Sequence, residues 1–387
     1  MRVLYVSDWS PASPTNGGRR RCSELVRGLI DAGHEVTVLT PDGSPGQPSG
    51  AAYALHVLSP SVEPDPGRRF TAAISRLPRH IALHASTTTT REVISHVERV
   101  SPDLVVAYEL MSAVYVSRAV GTTLPTVYDG FEPFAYQPLN NGVRARLRWA
   151  KLLGLFRRLL STFDAYVCSS PAELGWTSQT LRPKALGFVV RNGAPAITPA
   201  GAYEPRRVLY SGSLLYDANR DAVEYFLADG WPQLRAAVPG VQLVITGEAG
   251  DKDGNPWQMR DDVVVAGLVD DYPEIVRTSA VLAVPLRRGG GTRVKVLEAF
   301  AWGCPVVAST VGVAGLGVEA GVHALVADDP DEFAGLLIKV LTDPDLRGRL
   351  TIAAQQFARE NSWNRSQATF LEVLDRASRA HTSAARG

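Results

Sequence analysis

The chain has 387 residues, 45% of them apolar and 20% charged, with a formal net charge of +1. That length exceeds one ordinary hydrophobic core and suits two domains, and near-neutrality excludes a global attraction to nucleic acid, so an anionic ligand must be held by local charge. No apolar run is long enough for a membrane span, and Cys22, Cys168 and Cys304 lack any CxxC or Cys/His spacing, which leaves a cytoplasmic protein with reduced thiols as the expectation.

Short apolar runs alternate with helical segments, the pattern of parallel βαβ units and an α/β fold. The first unit reads as a strand at Val3 to Ser7, a loop with Gly17 and Gly18, a helix from Ser23 to Ala32 and a strand at Val36 to Leu39. Pro41 to Gly50 is a Pro/Gly/Ser-rich surface loop. Further strands are expected at Ala54 to Leu58, Leu104 to Tyr108, Thr126 to Asp129, Ala165 to Cys168 and Gly187 to Val190. Arg144 to Phe163 carries six basic residues beside an apolar stripe; it packs on its own sheet with a basic face in water or lies on an anionic membrane surface. The Pro/Gly/Ala-rich stretch 193–206 divides a first domain, 1–192, from a second, 207–363. Strands of the second are expected at Arg207 to Ser211, Gln242 to Thr246, Val263 to Ala266, Ala280 to Val284, Pro305 to Ser309 and Ala324 to Val326. A last helix and a frayed tail occupy 364–387.

The chemistry concentrates between Pro285 and Val307, where a strand ends in Gly289, Gly290 and Gly291 and opens through Thr292 into a helix carrying Arg293, Lys295 and Glu298. Glycines admit close backbone approach, a helix start favours anions, and Arg293 and Lys295 add full positive charge, a combination suited to a diphosphate. Glu298 is a carboxylate able to accept hydrogen bonds from the vicinal hydroxyls of a ribose. Gly212 and Ser213 follow the first strand of the second domain, and Leu268 and Val269 follow its third, again at carboxyl ends where ligands of open α/β sheets bind. Asn219 reads as a helix cap rather than a ligand. Asp251-Lys252-Asp253 has the form of a metal motif, but its hydrophilic Gly/Pro setting reads as a solvated loop, and no metal is expected.

These motifs resemble, in order and over nearly the whole chain, the retaining nucleotide-sugar glycosyltransferases of family 4 and their GGGTR-type subgroup. The correspondence includes the opening unit with Gly33-His34-Glu35, Asn192-Gly193, Val208 to Ser213, Val241 to Gly247, Val263 to Gly267 and Asn361-Ser362-Trp363. The resemblance implies a GT-B fold, two Rossmann-like domains with parallel sheets facing across a central cleft, whose C-terminal helix crosses back to the first domain. It implies donor contacts at Gly18, Gly212, Ser213, Leu268, Val269, Gly289, Gly290, Gly291, Thr292 and Glu298, and acceptor contacts at Gly17 and Glu132. It also implies transfer from a nucleoside diphosphate sugar to a small-molecule, glycan or lipid acceptor without a metal cofactor. Three departures stand out: Gly290 replaces the first of two glutamates eight positions apart, Ser213 and Leu214 stand where an Arg and a Lys are frequent, and Tyr108-Glu109 stands where a His is frequent. Glu109 and Asp129 are therefore the acid/base candidates, or else cap loops, and Arg293 and Lys295 take over the leaving-group charge. The departures keep open a catalytically silent homologue, and a sugar-nucleotide epimerase is the other alternative.

Overall fold

In a computed structural model the described residues are 1–12, 15–43, 52–59, 75, 77–137, 142–249, 257 and 260–384. The Asp251-Lys252-Asp253 run, the Pro41 to Gly50 loop from residue 44 onward and residues 138–141 lie outside them. The chain forms two compact units, Met1–Arg191 with Ser366–Gly387, and Asn192–Arg365.

Among its described residues the first unit has seven strands, β1 Arg2–Ser7, β2 Glu35–Thr40, β3 Ala54–Val57, β4 Leu104–Tyr108, β5 Thr126–Asp129, β6 Ala165–Cys168 and β7 Leu186–Val189. They make one parallel sheet in the order β3-β2-β1-β4-β5-β6-β7. Every residue of β4, LVVAY, is buried, because parallel sheets carry helices on both faces. One face packs Leu4, Val6, Val105, Ala107 and Tyr128 against the helices Leu110–Ala119 and Val143–Leu160. The other packs Val3, Tyr5, Val106 and Val127 against the helix Gly17–Asp31 and against Phe370, Val373, Leu374 and Ala377 of the final helix, Trp363–Ala384. Gln367 fastens that helix by donating from Nε2 to the Glu24 carbonyl at 2.8 Å.

Among its described residues the second unit has six strands, β8 Glu204–Ser211, β9 Gln242–Thr246, β10 Val263–Gly267, β11 Ser279–Val284, β12 Val306–Ala308 and β13 Leu325–Val326. Their order is β10-β9-β8-β11-β12-β13, and all the pairings are parallel. The two parallel sheets with flanking helices are the doubly wound architecture expected from the alternating pattern. β8 starts at Glu204, inside the stretch read as linker, because Glu204 pairs with Ser279. Asn192, read as the end of the first domain, belongs to the second unit and donates from Nδ2 to Thr292 Oγ1 at 2.7 Å. Asn361 and Trp363 complete that edge: Ala194 N donates to the Asn361 carbonyl at 2.8 Å and Trp363 N to the Ala194 carbonyl at 3.1 Å.

The helix expected from Ser23 starts at Gly17 instead. Asn16 explains the difference, since its Oδ1 accepts from the Arg19 amide at 2.9 Å and caps the helix six residues early. Gly17 and Gly18 thus form the first turn of the helix and not a loop. All three cysteines are buried free thiols.

Candidate functional site

Strand order in the second sheet reverses between β8 and β11, the place where open α/β sheets bind ligands beyond their carboxyl ends. Past β8, the Gly212 amide donates to the Thr246 carbonyl at 2.8 Å, Leu214 N to the Glu248 carbonyl at 2.7 Å, and Gly247 N to the Gly267 carbonyl at 2.9 Å. These bonds bring the exits of β8, β9 and β10 into contact. A Cβ on Gly247, whose φ is +120°, would stand 2.6 Å from the Gly212 carbonyl carbon and oxygen, and one on Gly212 would stand 2.7 Å from Lys295 Nζ. Only glycine fits either place.

Past β11, the chain runs through Pro285 into the glycine loop, where Gly289 and Gly291 take φ of +117° and +72°. Arg293 caps the helix Val294–Ala301 and turns its guanidinium back onto the Gly290 carbonyl. A Cβ on Gly289 would lie 2.9 Å from that guanidinium and 3.3 Å from the Tyr216 hydroxyl. Val294 N and Val296 N already donate to the Thr292 and Arg293 carbonyls at 3.1 and 3.0 Å. Anion capacity here therefore rests more on side chains than on the helix end.

Lys295 projects from that helix toward Gly212, with Nζ 5.0 Å from the centre of the Tyr210 ring. Its Nζ is shut off from solvent and has no hydrogen-bond partner among the described residues. Burial, then the charge of Arg293, pulls its pKa down to about 7, with Glu298 opposing. Glu298 is buried one turn further along the same helix. Thr292 is held by Asn192, Ser213 Oγ faces Glu248 at 3.4 Å, Leu268 is 59% exposed and Val269 is half-buried. Of the other cations, Arg287 holds Asp221 through two bonds of 2.6 and 3.1 Å, and Arg220 donates to the Leu214 carbonyl at 3.3 Å.

In the first unit the order reverses between β1 and β4, and three carboxylates gather there: Asp8 after β1, Glu109 after β4 and Asp129 closing β5. Asp8 accepts from Met111 N, Ser112 N and Ser112 Oγ at 3.1, 2.8 and 2.5 Å, serving the start of the Leu110–Ala119 helix. Burial still pushes Asp8 up to about 6 against those three bonds. Asp129 is wholly buried and gripped at both oxygens by Arg21, with Nη2–Oδ1 at 2.5 Å and Nε–Oδ2 at 3.1 Å. Arg21 Nη1 also donates to the Val190 carbonyl at 3.0 Å. An acid/base role for Asp129 gives way to a bracing one, because a carboxylate so clamped ties the helix Gly17–Asp31 to the ends of β5 and β7.

Glu109 is different. Its amide donates to the Asp129 carbonyl at 3.0 Å, its φ is +74°, and its carboxyl makes no hydrogen bond among the described residues. Burial first, then Glu132, Asp8 and Asp129, raise its pKa well above the ordinary carboxylate range, while Arg21 works the other way. Glu132 follows Phe131, partly buried. Gly18 offers its carbonyl to the Tyr108 hydroxyl at 3.1 Å and lies beneath Trp9, so it touches the same sheet end from within the helix. Sequence reasoning missed Asp8 and Arg21; the available signal was an arginine between Arg20 and Cys22 on the face of the helix that also bears Leu25.

Comparison with known proteins covers both units. The model described as a Glycosyl transferase 4-like domain matches residues 16–193, and the one described as Glycosyl transferases group 1 matches residues 205–343. A phosphatidyl-myo-inositol mannosyltransferase of Mycolicibacterium smegmatis is 25% identical over 402 residues, which span 98% of this chain and 95% of that protein. Among solved structures, sucrose-phosphate synthase from Thermosynechococcus elongatus superposes with a TM-score of 0.73 at 17% identity, covering 96% of this chain and 98% of that one. HepE of Anabaena, in complex with UDP and glucose, superposes with a TM-score of 0.68 at 17% identity, covering 97% and 99%.

Proposed function

The chain belongs to the GT-B glycosyltransferases of the group 1 and 4-like kind, and from that premise we propose that it transfers a hexose from a nucleoside diphosphate sugar to an acceptor hydroxyl with retention at the anomeric carbon. The observation that carries the reading is the solvent-shielded Lys295 amine beside Gly212, without a hydrogen-bond partner among the described residues, with Arg293 at the glycine loop and Glu298 in the same helix. Lys295, Arg293 and the backbone at Gly212, Ser213, Gly289, Gly290 and Gly291 take the diphosphate. Glu298 takes the ribose, Leu268 and Val269 flank the base, and Thr292 faces the sugar.

The acceptor binds through Gly17, Glu109 and Glu132. Glu109, whose burial and acidic neighbours favour its protonated form, donates to or orients a hydroxyl; the Asp129 carbonyl holds its backbone amide in place. In front-face displacement the acceptor oxygen bonds to the anomeric carbon on the side from which the diphosphate departs. The bond from that carbon to the phosphate oxygen breaks, and the same phosphate oxygen accepts the hydroxyl proton. No protein nucleophile takes part, and the chain supplies charge and alignment.

Contact with an anionic membrane surface is part of the same reading. Along the helix Val143–Leu160, Leu152, Leu155, Phe156, Leu159 and Leu160 are buried, whereas Val143 and Leu147 are 84% and 59% exposed among exposed Arg144, Arg146 and Arg148. The described helices include none long and apolar enough to cross a membrane. A lipid-borne acceptor fits such a surface.

The test is a thermal-shift screen of UDP, GDP, ADP and dTDP. A ligand at a hundred times its Kd stabilises the folded state by about 2.7 kcal/mol, enough to move the melting point by several degrees. One nucleotide is expected to do so, and Glu298→Ala and Arg293→Ala each to abolish the shift while remaining folded. Shifts retained in both variants would remove the site assignment.

A further inference from the structure

We infer that Lys295 stands uncharged beside Gly212 in the free protein and takes up a proton as a nucleoside diphosphate docks, so that donor capture is coupled to pH. The inference rests on the donor site proposed above and deepens it. Its ground is the surroundings of one nitrogen. Lys295 Nζ is shielded from solvent, finds no acceptor among the described residues, and is wedged between the Tyr210 ring at 5.0 Å and a glycine whose Cβ would stand 2.7 Å away. An ammonium without water or acceptor is costly, whereas a neutral amine is not.

The groups that face it come from four elements. Its own helix contributes Arg293, which repels, and Glu298, which attracts. β8 contributes the Tyr210 ring. The helix Asp217–Tyr225 contributes the Asn219 amide, whose Nδ2 is a donor already directed at the Ser213 carbonyl at 2.9 Å. Beyond β9, the Glu248 carboxylate meets the same turn at the Ser213 hydroxyl, 3.4 Å away. Asp251, Lys252 and Asp253 lie outside the described residues. Burial outweighs Arg293, and together they pull the amine to about 7 against Glu298.

A diphosphate reverses each of these influences. It gives Nζ the acceptor oxygens it lacks, adds opposite charge at contact distance and offsets the field of Arg293. The complex therefore keeps its proton to a higher pH than the free protein does. Linkage fixes the sign: affinity is full below about 7 and falls above it by up to about tenfold per pH unit, until the complex itself titrates. The donor and the leaving diphosphate are both held more loosely in alkaline solution.

Calorimetric titration of the full chain with UDP, GDP, ADP and dTDP at pH 8, in HEPES and in Tris, reads the protons exchanged. A free-protein pKa of about 7 gives an uptake of about 0.9 proton per nucleotide bound. Lys295→Arg, permanently charged, is expected to bind without that uptake, and Lys295→Met to bind more weakly, also without it. Binding to the parent protein with no proton uptake overturns the inference and leaves the donor site standing. Uptake that persists in both variants also overturns it, by placing the proton elsewhere. Failure of all four nucleotides to bind removes the inference together with the reading on which it rests.

Discussion

Arg21 and Lys295 show how burial sorts residues of one charge into different work. Arg21 meets a carboxylate bidentately and a backbone carbonyl, so its charge is compensated and strengthens the end of the first sheet. Lys295 meets no acceptor among the described residues, and its chemistry stays available to a ligand. Glu109 is the acidic counterpart of Lys295. A non-glycine residue at φ +74° costs about 1–3 kcal/mol, and a raised carboxyl pKa adds a further cost that grows with pH. Because the folded state holds this proton more tightly than the unfolded chain, stability declines as pH rises above the ordinary value of 4.5. Glu109→Gln should therefore melt at the same temperature as the parent near pH 4 and at a progressively higher temperature from pH 5 to pH 8. Parallel melting curves across that range would show that Glu109 ionises freely.

At the scale of elements, the helix Val143–Leu160 divides in two along its length. Its second half has apolar residues buried against β5 and β6, and its first half holds a basic, partly apolar surface outward. Amphipathic periodicity covers both halves equally, so the sequence pattern does not separate the packed half from the free one. Each basic residue near an anionic bilayer is worth about 1 kcal/mol, so replacing Arg144, Arg146 and Arg148 together by Gln should weaken binding to phosphatidylserine vesicles on the order of a hundredfold. Binding to phosphatidylcholine vesicles should be weak for both proteins. Equal sedimentation of parent and variant with the anionic vesicles would assign this face to water.

At the scale of the molecule, the final helix is the element whose position in the chain least announces its place. Ser366–Gly387 belongs to the unit built from the first 191 residues, where Phe370, Val373 and Leu374 are buried. Burying side chains of that size contributes about 1.5–3 kcal/mol each, comparable in sum with the stability of a whole domain. Deleting residues 366–387 should abolish the calorimetric transition of the N-terminal unit and spare that of the unit Asn192–Arg365. An N-terminal unit that melts normally without the helix would make that packing dispensable.

The strand positions were legible from the sequence, because apolar runs buried on both faces, bounded by Gly, Pro and Asn, admit few other structures. So was the glycine loop with Arg293, Lys295 and Glu298, whose spacing along one helix is local. What sequence left undecided were relations across long separations: that Asp129 is clamped by Arg21, 108 positions away, that Glu109 is left without such a partner among the described residues, and that Lys295 ends against Gly212. A residue's charge is written in its side chain, but whether that charge is compensated depends on which strand ends the fold brings together, and only the tertiary structure decides that.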